Sequence, residues 1–172
     1  MTSSLAAPRC EDTGDCDIRC GVDQNDVDLW LLLLNSVATW AMVGLIWFVQ
    51  RVHYPLLALV SSDRARPIAL EHQRRTAQVV GLPMAIEGVT TLGLLAWHPD
   101  EIAAGWVWVN AVLLAVALAS TVLLSVPLHT RMAETPDDSV GRRLVITNWP
   151  RTIAWSARGV LCAVMVHQVL TH

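Results

Sequence analysis

Residues 102–128 read IAAGWVWVNAVLLAVALASTVLLSVPL, 27 residues without a single charge. A helix rises 1.5 Å per residue, so this run exceeds the ~30 Å hydrocarbon core of a bilayer. A chain of 172 residues has no interior that would otherwise hide so long an apolar rod. The run is therefore read as a transmembrane helix. Trp106 and Trp108 stand at its start, and Thr121, Ser125 and His129 follow at four-residue spacing as a polar stripe near its end.

Composition agrees. The chain is 53% hydrophobic and only 16% charged, with a mean hydropathy of +0.44. That is too apolar for an ordinary soluble domain. The length suits one domain. All 12 basic residues are arginine and the net charge is -3. No basic patch carries interleaved aromatics, which argues against nucleic acid as a partner.

Working outward, three further spans are predicted, giving an all-α bundle of four transmembrane helices over about 29–52, 76–97, 102–128 and 151–170. Trp30 and Trp47 lie near the two ends of the first span, as interfacial anchors do. Pro55 disfavours helical geometry at Tyr54, so the first helix is expected to stop at His53 or Tyr54. Pro67 suits a first turn, so the second helix is expected to start there. Its opening residues, Ile68–Arg75, would lie outside the membrane or along the headgroups, and Pro83 should kink it near its middle. His98–Glu101 forms a short acidic turn. In the connection 129–150, Thr135-Pro136-Asp137-Asp138 reads as a turn followed by a cap. Thr147 or Asn148 then caps the fourth helix, with Pro150 in its first turn.

The connections after the first and third spans carry nine arginines, against two in the N-terminal tail and the middle turn. The positive-inside rule predicts both termini extracytoplasmic, in a cytoplasmic (inner) membrane. Residues 1–28 hold seven carboxylates against Arg9 and Arg19. No apolar stretch there precedes a cleavage site, so it is not read as a cleavable signal peptide. A solvated, disordered tail is expected. Cys10, Cys16 and Cys20 match no zinc spacing, and one disulfide with a leftover thiol is the other reading.

Away from the span ends, only Glu87 and Arg158 are charged within the spans. Such charges are costly unless paired and turned inward. Glu87 lies about 12 residues past Arg75, ~18 Å deep, and Arg158 about nine past Trp149, ~13 Å deep. An arginine side chain closes that gap. The pair is then either helix glue or part of a site. Arg151 and Arg158, two turns apart, share a face with Trp155. Arg151 sits where the helix dipole disfavours a cation. Asn148, Arg151, Trp155 and Arg158 are expected to face one pocket with Glu87 and to bind an anion: a carboxylate, a propionate or a lipid phosphate.

His53, His72 and His129 belong to three different helix ends on the arginine-rich side. If packing unites them they suit a transition metal or haem. Taken singly, each is as well explained as an interfacial histidine bonded to headgroup or backbone. His98, His167 and His172 fall on the other side and look incidental.

Asn148-Trp149-x-Arg151 through Trp155 and Arg158 resembles the Trp/Asn/Arg signature in the last helix of the anthrone-oxygenase-like family of small four-helix membrane proteins. His53, Arg74-Arg75, Pro83 and His129 stand in an order similar to the haem-binding membrane protoporphyrinogen oxidase family, though the chain lacks that group's Leu-Pro-Arg and Asn-Glu-x-Pro elements. These resemblances imply a membrane-embedded redox or oxygenase-like enzyme acting on a hydrophobic, acid-bearing small molecule. His53, His72 and His129 would hold a metal or haem. Glu87 and His129 would handle protons, and Arg151 and Arg158 would grip a carboxylate. The other expectation is a non-catalytic membrane subunit or transporter component with a structural Glu–Arg pair.

Overall fold

The computed structural model describes residues 24–57, 59–134 and 138–171. Residues 1–23, with Cys10, Cys16 and Cys20, and residues 135–137, where a turn was expected, lie outside the described residues, while Gln24–Asp28 of the expected tail form the start of the first helix. Among the described residues every regular element is helical. Helix α1 spans Gln24–Phe48, passes through a π turn at Val49–His53 and continues as α2, Tyr54–Leu57. Helix α3 covers Ser62–Ala96. Helix α4, Ala104–Ser120, passes through a second π turn, Thr121–Ser125, into α5, Val126–Glu134. Helices α6, Asp138–Thr147, and α7, Trp149–Thr171, complete the chain.

Four helical stretches, Asp26–Leu57, Asp63–Ala96, Ala104–Arg131 and Arg142–Thr171, are long and apolar enough to cross a membrane. They pack as a ring in which α1 meets α3 and α7, while α4 meets α3 and α7. Large apolar side chains such as Val37, Leu82, Val89 and Leu123 are exposed around the ring. Water would penalise that surface; lipid does not. The architecture is that of a multi-pass membrane protein.

Several boundaries differ from expectation. Pro55 does not end the first helix. Tyr54 N–H bonds five residues back to the Val49 carbonyl, and the widened turn leaves room for the proline ring that a tight α turn would exclude. The same device recurs before Pro127, where Val126 N–H reaches the Thr121 carbonyl. Helix α3 begins at Ser62 and holds Pro67 in its second turn and Pro83 within an unbroken helix. The connection before the fourth span is largely helix: α6 leads into α7 across Asn148, whose N–H and carbonyl bond to Leu144 and Thr152 at 3.2 and 3.0 Å.

The buried apolar residues form three stacked clusters. At the end where α1 finishes and α7 begins, called here the arginine-rich end, Tyr54, Leu57, Ala65, Ala69, Val140 and Leu144 pack together. Met42, Val43, Ile46, Ala117, Ala154 and Trp155 form the middle. Leu32, Leu94, Ile102, Val107, Leu161, Cys162 and Met165 close the other end. Gly159 brings α7 close to α1: a Cβ there would stand 3.1 Å from Val43 Cγ2.

Candidate functional site

Two polar layers interrupt these clusters. The deeper one joins all four spans. Arg158 Nη1 donates to Glu87 Oε1 at 2.6 Å, and both side chains are fully buried. Arg158 Nε donates to Asn110 Oδ1 at 2.9 Å and Nη2 to Thr91 Oγ1 at 3.2 Å. Trp155 Nε1 donates to the second Glu87 oxygen at 3.1 Å. Asn110 Nδ2 passes the chain of bonds to Asn35 Oδ1 at 3.0 Å, and Asn35 donates to Thr90 and Thr91, each at 2.9 Å. The anticipated Glu87–Arg158 pair is present, and its desolvated charges are met by hydrogen bonds, the condition under which a buried pair is tolerable.

The second layer lies toward the arginine-rich end. Arg151 donates from Nε to Asn148 Oδ1 at 2.9 Å, and from Nη2 to the same oxygen and to Tyr54 Oη, the latter at 3.0 Å. Asn148 in turn donates to Gln50 Oε1 at 2.7 Å, and Gln50 to the Val145 carbonyl at 3.1 Å. Arg151 is only 7% exposed. Among the described residues it has no carboxylate partner and its Nη1 has no acceptor.

The three histidines of the arginine-rich end do converge. His53 Nε2 and His72 Nδ1 are 2.8 Å apart with stacked rings, and His72 and His129 ring centres are 4.8 Å apart. Three of their ring nitrogens, however, are engaged: His53 Nε2 and His72 Nδ1 with each other, His72 Nδ1 also with Thr76, and His129 Nε2 with Tyr54. Among the described residues no group of three or more His, Cys, Asp and Glu is placed to hold a metal ion. A direct His–His hydrogen bond occupies the lone pair that a ligand would give. The arrangement does not fit the metal or haem shell anticipated for His53, His72 and His129.

A cavity of about 300 Å³ opens beside this layer. Its apolar wall includes Met42, Ile46, Val80, Met84 and Trp155, and its polar end Tyr54, His72, Ser125, His129 and Arg151. Ala77 and Val126 line it while remaining exposed, Val126 at 54%, which puts the mouth between α3 and α5. The anticipated single pocket is thus corrected. Arg151 and Trp155 face the cavity, whereas Glu87 and Arg158 do not. The Trp155 indole lies between them, one edge on the cavity and its N–H on Glu87. Asn148 is absent from the lining and holds Arg151 in place.

The proton pattern at the polar end follows from donor chemistry. Arginine only donates, so Tyr54 Oη accepts from Arg151; His129 Nε2, 3.0 Å away, is the one acceptor that the described residues offer the Tyr54 O–H, and the bond is assigned in that direction. A neutral His129 therefore carries its proton on Nδ1. That atom is buried without a partner, as is Ser125 Oγ one turn earlier. Both residues line the cavity. Buried polar atoms are rarely left unsatisfied, and those that are need an explanation.

Tyr54, Gln50, Asn35 and Asn110 were not singled out from the sequence. The signal was there for two of them: an asparagine within an apolar span is a candidate interhelical bond. Tyr54 is the only tyrosine of the chain and adjoins His53. Comparison with known proteins returns no matching family model, no matching curated protein and no matching solved structure.

Proposed function

We propose that this chain is a membrane-embedded, oxygenase-like small-molecule enzyme that admits a compact hydrophobic substrate to the cavity between α3 and α5. The substrate's apolar body packs on Met42, Ile46, Val80, Met84 and Trp155. Its oxygen-bearing end meets Arg151, His129 and Ser125. His129 is the residue placed to pass a proton to a bound molecule; Glu87, behind Trp155, serves the scaffold. The arginine distribution supports a cytoplasmic-membrane setting with both termini outside and the polar end of the cavity toward the cytoplasm.

One observation carries the reading: an apolar cavity of ligand size ends in buried polar atoms with no partner. A solely structural polar layer would be satisfied, as the Glu87–Arg158 layer is. That closed layer favours the second reading, a non-catalytic membrane subunit, only for its own part of the molecule. The test is saturable binding of 1-naphthol to the protein in phosphatidylcholine nanodiscs, compared with Ala77→Trp, which fills the mouth at an exposed position. Binding lost in the variant with an unchanged Tm supports the cavity as the site. Equal binding in both proteins overturns it.

A further inference from the structure

We infer that the molecule held in the cavity presents an oxyanion, and that His129 serves it as a hydrogen-bond donor whose tautomer is locked by Tyr54 and Arg151. The inference rests on the cavity being a ligand site and names what that ligand carries.

Three groups on residues lining the polar end have no partner among the described residues: Arg151 Nη1, His129 Nδ1 and Ser125 Oγ. Their residues are 7%, 8% and 3% exposed. The first can only donate. The second is a donor because Tyr54 fills Nε2. The third, a hydroxyl, adapts to either role. An ammonium would meet N–H against N–H and a like charge, so the site rejects it. A neutral carbonyl would satisfy the hydrogen bonds but leave the Arg151 charge unmatched. A carboxylate, a phenolate or an enolate satisfies both, since an uncompensated buried cation is the costliest state. The apolar wall then requires that the oxyanion be borne on a hydrophobic body. Free acids and the phosphate of an anionic lipid share this chemistry.

Tyr54 is a positioning residue here: it touches His129 and Arg151, and its phenolic proton decides which imidazole nitrogen of His129 carries the ring proton. Without that proton, nothing fixes Nε2 as the acceptor.

The test uses the full chain in phosphatidylcholine nanodiscs, with 15N-labelled histidine. The His129 signal, identified by its loss in His129→Gln, is expected to show a protonated Nδ1 and a bare Nε2 without any ligand. Tyr54→Phe should move the proton to Nε2. A wild-type His129 already protonated on Nε2 overturns the lock, whatever binds. For the ligand, 1-naphthoate is expected to bind at least tenfold more tightly than 1-naphthaldehyde, and 1-naphthylmethylamine not at all. Arg151→Gln should erase the naphthoate advantage while keeping naphthaldehyde binding. Equal affinity of the three probes overturns the oxyanion and leaves the cavity reading intact. Failure of all three to bind overturns both. Phosphatidate added to the disc competes with naphthoate if a lipid headgroup is the source of the oxyanion. If the free acid is the source, naphthoate affinity stays unchanged.

Discussion

Arg158 and Arg151 sit two turns apart on α7 and are both buried, yet their surroundings differ in kind. Arg158 has a carboxylate at 2.6 Å and acceptors for its remaining nitrogens on α3 and α4. Arg151 has neutral oxygens from Asn148 and Tyr54, and one nitrogen facing a cavity. The first is complete without help from outside the chain. The second is incomplete, and incompleteness at a buried charge marks the place where something else binds. If the cavity is a ligand site as proposed, depth in the membrane, the more obvious criterion, selects the arginine that serves the scaffold.

The comparison can be broken most sharply at Glu87. Glu87→Gln strands the Arg158 charge and should lower stability by about 3–5 kcal/mol, read as unfolding in mixed micelles. Glu87→Leu combined with Arg158→Met removes both charges and should recover most of that loss. A single substitution with no effect would end the view of this layer as a paired scaffold. Next comes Trp155→Phe, which deletes the N–H that reaches Glu87. A hydrogen bond to a charged group is worth about 1.5–3 kcal/mol. Asn110→Leu should follow at about 1–3 kcal/mol, because it leaves Arg158 Nε without an acceptor. The smallest stability effect belongs to Arg151→Gln, expected below about 1 kcal/mol in either direction, since it discards a cation that has no carboxylate partner among the described residues. A loss for Arg151→Gln as large as that for Glu87→Gln would erase the distinction between the two layers.

Much of the scaffold was legible in the sequence. Four apolar runs announce the spans because charge in hydrocarbon is expensive. The one carboxylate and one arginine within them had to meet for the same reason, and they do. The stripe Thr121, Ser125 and His129 followed from helical spacing and lines the cavity over its whole length. What stayed hidden depends on tertiary packing. Asn35 and Asn110 are neutral, so they barely disturb an apolar average, yet they carry the polar layer across α1 and α4. Whether Arg151 and Arg158 share a pocket turns on the Trp155 indole, which spacing places on their common face but whose contact with Glu87 only packing decides. Helix α6 lies in a polar connection whose α-helical character no membrane criterion detects. The proline rule misled at Pro55 because it assumes that the preceding helix keeps an α pitch.

Those two π turns set angular phase. Each adds one residue to an α-helical path, and one residue turns a helix by roughly 100°. Tyr54 directly follows one inserted turn and His129 closely follows the other, so the bond between them depends on both rotations being made. Deleting Val52 would return the first helix to plain α pitch and swing Tyr54 about 100° away from His129 while leaving every apolar run long enough to span. The polar end of the cavity is in that sense a matter of chain length counted to the residue: a protein one residue shorter would still cross the membrane and would lose the geometry that aims its histidine.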